Sequence, residues 1–193
     1  MLFRSISDTL KDKDWVREIY QGIEKDAKSI ADLTRLADIA AVKLADKEWA
    51  GNLVAAAEKK CAGLADFGTV AGAALKLGDK DTAWRLYETA EEGCNSQKDY
   101  ALLFGMVQNQ VEDTTMVSSL VLRAGQKLGA FEDAIFLAET AMGQLKDKDL
   151  ALRFYNDAEG MADTNSQRSC LGGSLNSVLK DSDWASRVLY QMA

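Results

Sequence analysis

One short acidic motif recurs along this chain at a nearly fixed interval. It reads KDKDW at 11–15, ADKEW at 45–49, GDKDT at 78–82, EDTTM at 112–116, KDKDL at 146–150 and KDSDW at 180–184. Its first Asp falls at Asp12, Asp46, Asp79, Asp113, Asp147 and Asp181, so the spacings are 34, 33, 34, 34 and 34 residues. Such a period marks an array in which each unit is one supersecondary element that must stack on its neighbours to bury its apolar face. The 193 residues hold about six units as one array, 1–193, with breaks expected near 28, 62, 95, 129 and 163.

Each motif opens an amphipathic segment. Val16, Ala50, Ala83, Val117, Ala151 and Ala185 follow it directly, and Ile19, Leu53, Leu86, Leu120, Phe154 and Val188 stand three residues further on. Beside them come Tyr20, Val54, Tyr87, Val121, Tyr155 and Leu189. Offsets of three and four return to one side of a helix, so a helix of about 14 residues is predicted after every motif. The leading Asp starts it, because its carboxylate accepts from the free N–H groups of the first turn and its charge suits the positive end of the dipole. That accounts for the motif without a functional role.

A second set of apolar, small-residue-rich segments lies between, at 31–44, 66–77, 98–111, 132–145 and 166–179, closing on Leu44, Leu77, Val111, Leu145 and Leu179. Leu2, Phe3, Ile6 and Leu10 form a partial first copy. The unit is helix, turn, helix, and the fold class is all-α.

LGDKDTAWRLYETAEEG at 77–93 resembles the second half of a tetratricopeptide (TPR) repeat, with Gly78, Ala83, Tyr87 and Ala90 in that family's small and aromatic columns. KDKDLALRFYNDAEG at 146–160 repeats the pattern with Ala151, Tyr155 and Ala158, and the 34-residue period matches. The chain departs from the family in having no Pro at all and only traces of its first-helix pattern, such as Phe104-Gly105. The resemblance implies a right-handed α-solenoid of about six TPR-like repeats whose first helices line a concave face that binds a protein or peptide. On those helices the expected partner-binding residues are Arg35, Ile39, Leu75, Leu102, Met106, Asn109, Phe136 and Thr140, with Gly68 and Gly72 flooring an apolar centre and Cys170, Ser174 and Ser177 continuing it. Met106 and Phe136 suit an amphipathic helix.

Composition narrows the function further. The chain has no His, which removes Ser-His and Cys-His pairs and imidazole metal sites. Lys plus Arg is 23 against 30 for Asp plus Glu, a net charge of −7, so the basic footprint of a nucleic-acid binder is missing. No apolar stretch approaches the roughly 18 residues of a membrane span. Cys61, Cys94 and Cys170 are few and scattered, which points to free thiols in a reducing cytoplasm, and the N-terminal segment does not read as a signal peptide.

Neither a metal nor a cofactor is expected. Adjacent acids such as Glu91–Glu92 and Glu132–Asp133 read as solvated faces, and LGGSLNS at 171–177 lacks the strand and Lys of a phosphate loop. Trp15, Trp49 and Trp184 share one column, read as packing between repeats. Arg85, Arg153 and Arg187 share another and Glu24, Glu58, Glu91 and Glu159 a third, read as charge ladders along the array.

The reading is therefore a non-enzymatic interaction module or adaptor. The alternative is a self-assembling scaffold, with a homodimer through the C-terminal repeat at Trp184, Val188 and Leu189; a carboxylate-dependent enzyme is the remote third.

Overall fold

The computed structural model describes residues 13–111 and 114–191, and among these every regular element is helical. The chain divides into two compact units, Met1–Gly93 and Cys94–Ala193. The first unit holds α1 (Lys13–Asp26), α2 (Ile30–Val42), α3 (Lys47–Glu58), α4 (Leu64–Lys76) and α5 (Lys80–Glu92). The second holds α6 (Gln97–Gln110), α7 (Thr114–Lys127), α8 (Phe131–Thr140), α9 (Lys148–Met161), α10 (Asn165–Ser174) and α11 (Ser182–Tyr190). The wider π turns Ala141–Leu145 and Leu175–Leu179 extend α8 and α10.

The helices pack as neighbouring pairs, α2 on α3, α4 on α5, α6 on α7, α8 on α9 and α10 on α11. Successive first helices also touch within a unit, α2 with α4 and α8 with α10.

Local chemistry sets each boundary. Asp46, Asp79, Asp147 and Asp181 are the N-caps of α3, α5, α9 and α11, accepting from the backbone N–H of Trp49, Thr82, Leu150 and Trp184 at 2.9, 3.0, 2.9 and 2.9 Å. Asp12 and Asp113, and the partial first copy at Leu2, Phe3, Ile6 and Leu10, lie outside the described residues. Three first helices start at hydroxyl caps: Ser29, Ser96 and Thr164 accept from the N–H of Asp32, Asp99 and Gln167. In front of each acidic cap stands one left-handed residue, Ala45, Gly78, Lys146 or Lys180, with φ of 57, 80, 58 and 60°. The following Asp N–H then closes on the carbonyl of Ala40, Ala74, Ala141 or Leu175, which satisfies a C-terminal carbonyl that the helix leaves over.

The repeat columns are the core. Val16, Ala50, Ala83, Val117, Ala151 and Ala185 are all buried, as are Leu53, Leu86, Leu120, Phe154 and Val188 in the next column. Tyr20, Val54, Tyr87, Val121 and Tyr155 are buried beside them, whereas Leu189 is 42% exposed.

Successive second helices are tied by the carboxylate column. Glu24 accepts the Trp49 indole N–H at 2.8 Å, and Glu58 takes both arms of the Arg85 guanidinium at 2.6 and 2.8 Å. Glu159 takes both donor types, Trp184 Nε1 at 2.8 Å and Arg187 at 3.1 Å. The Arg187 guanidinium also lies over the Trp184 ring, 5.7 Å from its centroid. No described helix is long and apolar enough to cross a membrane.

Candidate functional site

In the first unit, Arg35 is exposed on α2 and Ile39 is half-buried one turn on. Both line an open cleft of about 260 Å³ against Tyr20 and Ile23 of α1 and Ala27 just after it. Asp32 sits at the same cleft with its carboxyl held below the usual carboxylate range, because the Ser29 hydroxyl and backbone N–H both donate to it. Leu75 is half-buried on α4, and Gly68 is buried.

In the second unit, Leu102 on α6 is 52% exposed, Met106 is half-buried and Asn109 is exposed. Phe136 on α8 is half-buried, with its ring stacked on Phe104 of α6 at 6.1 Å and 11°. Gln97 Nε2 donates to Asp133 at 2.8 Å and Ser174 donates to Glu139 at 2.7 Å, so α6, α8 and α10 stand side by side.

Two positions expected to face a partner do not. Thr140 is buried, with its hydroxyl turned back to the Phe136 carbonyl at 2.8 Å. Val188 is 1% exposed and belongs to the core of its own unit, so it offers no surface to a second copy. Ser174, expected to continue the groove, is also buried, sharing a 2.7 Å hydrogen bond with the Tyr155 hydroxyl. Burial pushes the Tyr155 phenol above its ordinary range, and the Ser174 hydrogen bond partly offsets this.

The reason is rotational. Thr140 follows Phe136 by four residues, which turns it about 40° around the helix. At the same register, Ile39 faces α1 and Ser174 faces α8 and α9. The register is a seam between helices.

The open stripe on the first helices runs instead through positions three and four residues from Leu102 and Phe136. On α6 it holds Lys98, Leu102, Gly105 and Asn109, and on α8 and its π turn Glu132, Phe136, Glu139 and Gly143. A Cβ placed on Gly105, Gly143 or Gly173 would meet nothing within 4 Å. Glu132 and Glu139 were not among the expected contacts, although their spacing of four before and three after Phe136 signals a shared face.

Of the remaining expected contacts, Trp184 is half-buried, edge-on to Tyr155 with centroids 6.3 Å apart, and Leu189 packs over Gly172, where a Cβ would come within 2.9 Å of its Cγ. Two shallow grooves repeat between second helices, one floored by Trp49 beside Glu18 and Lys25, the other by Trp184 beside Asn156 and Asp183. None of the three cysteines is in a disulfide. Cys170 is exposed and Cys94 buried, while desolvation, with Asp66 and Glu58 nearby, pushes the Cys61 thiol up to about 11. No family model, curated protein or solved structure matches the chain.

Proposed function

We propose that this chain is a non-enzymatic interaction module, a TPR-like repeat protein that holds a partner segment against the stripe on its first helices. The carrying observation is the division of labour within the second unit. Carboxylate-to-Trp and carboxylate-to-Arg contacts tie the second helices together, while α6 leaves Leu102 exposed and α8 leaves Phe136 half-buried beside glycines. The period through all six motifs supports a right-handed α-solenoid, and the free thiols support a reducing cytoplasm.

The test is capture of partners from native lysate by the wild-type chain and by Leu102→Ser/Phe136→Ser, with helical circular dichroism and melting temperature measured in parallel. The reading expects the captured set to be lost at an unchanged helical spectrum. Leu102→Ser alone alters a side chain that is already half in water, so it separates lost binding from lost folding. An identical captured set from both variants removes the stripe from consideration.

Self-assembly is the second reading. It is favoured by Tyr190, 83% exposed on α11 next to Leu189. Sedimentation equilibrium at micromolar concentration decides it, since a single 21.1 kDa species excludes it.

A further inference from the structure

We propose that the α6–α8 stripe of the second unit takes a basic amphipathic helix, its apolar side chains over Leu102 and Phe136 and its cations against Glu132 and Glu139. This deepens the interaction-module reading and rests on it.

Residues 131–145, which form α8 and its π turn, carry no Lys or Arg, while Glu132 and Glu139 are both exposed on the side of Phe136. Asp133, the third acid on α8, already accepts from Gln97 and from the backbone N–H of Ala130, so it belongs to the fold. Glu139 keeps one oxygen on the Ser174 hydroxyl, which fixes the carboxylate in place and leaves its other oxygen for a partner. Lys98 is the one cation of α6 and stands four residues before Leu102, at the end of the stripe. An apolar row bordered by acid complements a helix with an apolar stripe bordered by Lys or Arg, and a like-charged helix would be repelled.

Gly105 lies inside α6, is not left-handed and touches nothing where a Cβ would go. Glycine at such a position weakens the helix relative to Ala. What it provides is bare backbone beside Leu102, where another helix can come close.

The test uses the full chain and two synthetic helical peptides with one apolar stripe of Leu at i, i+3 and i+4, one flanked by Lys and the other by Glu, titrated by fluorescence anisotropy. The expected result is binding of the Leu-Lys peptide at least about tenfold tighter than the Leu-Glu peptide, weakening as salt rises. Glu132→Gln/Glu139→Gln should cost about fivefold or more. Gly105→Gln should weaken binding while leaving the melting temperature equal or higher. Asp149→Asn/Asp157→Asn on α9 is the control and should stay within about twofold.

Equal losses in the control pair would overturn the proposal, because attraction would then follow overall charge. Equal binding of both peptides, still lost in Gly105→Gln, would also overturn it while sparing the interaction-module reading. Binding of neither peptide overturns it outright, and the lysate experiment with Leu102→Ser then judges the broader reading by itself.

Discussion

The two units solve one packing problem with different chemistry. In the first, Glu24 and Glu58 each receive a single partner, Trp49 for one and Arg85 for the other. In the second, Glu159 receives Trp184 and Arg187 together. A carboxylate has lone pairs enough for both, so the column needs only one acid per repeat and tolerates either donor from the next. Burial differs too: Trp49 is 7% exposed, whereas Trp184 is half-buried. The lesson is that the column fixes where two helices meet, and the depth of the aromatic ring decides how much that meeting stabilises.

Trp49→Ala should therefore be the costliest change, about 3–5 kcal/mol as for other buried large-to-small substitutions, and Trp184→Ala should cost clearly less because part of its ring already meets water. Urea unfolding of both variants checks this, and equal costs would erase the difference between the units.

A second contrast is the buried hydroxyl pair. Tyr155 is fully buried and shares its hydroxyl with Ser174, so Ser174→Ala should cost about 1–3 kcal/mol by leaving the phenol unsatisfied. The double variant Tyr155→Phe/Ser174→Ala should recover much of that loss, since no orphan remains. A double-mutant cycle reads the coupling, and simple additivity would show that the pair is not a unit.

The smallest effect belongs to the exposed ladder. Arg85 holds the Glu58 carboxyl below its ordinary value of 4.5, chiefly by donating to it directly. A lowered carboxylate contributes stability that is fully present above pH 4.5 and is lost as pH falls through the folded value. With both side chains partly in water, the contribution should stay under about 1 kcal/mol and shrink with salt. Comparing the acid limb of unfolding for wild type and Glu58→Gln measures it; an unchanged limb would show that the pair contributes nothing.

The helices, their order and the acidic caps were legible in the sequence because they depend on contacts within four residues. The pairing of Glu24 with Trp49 and of Glu159 with Trp184 was not, although both columns were visible. The partners are 25 residues apart, and only the packing of second helix on second helix brings them together. Thr140 and Ser174 misled for a related reason. A hydroxyl that bonds a carbonyl in its own helix, or a phenol on the next, can be buried without penalty, so polarity alone places neither on the surface. The division after Gly93 leaves no mark in the period, which runs through it unbroken.

The left-handed residue before Asp46, Asp79, Asp147 and Asp181 makes the joint inside those repeats a fixed-length coupling. From Leu44 to Asp46, Leu77 to Asp79, Val111 to Asp113, Leu145 to Asp147 and Leu179 to Asp181 the separation is always two residues, and the single 33-residue spacing arises elsewhere, between Asp46 and Leu77. One residue added at the joint would turn the second helix by about 100° and carry its Trp or Arg off the preceding carboxylate. Across a repeat boundary, from each acidic cap to the residue that closes the next first helix, the separation is 31 residues from Asp46 to Leu77 and 32 from Asp79 to Val111, Asp113 to Leu145 and Asp147 to Leu179. The one change in register therefore lies outside the joint, in the stretch that holds the five-residue segment 59–63, and an inserted tag or loop belongs there.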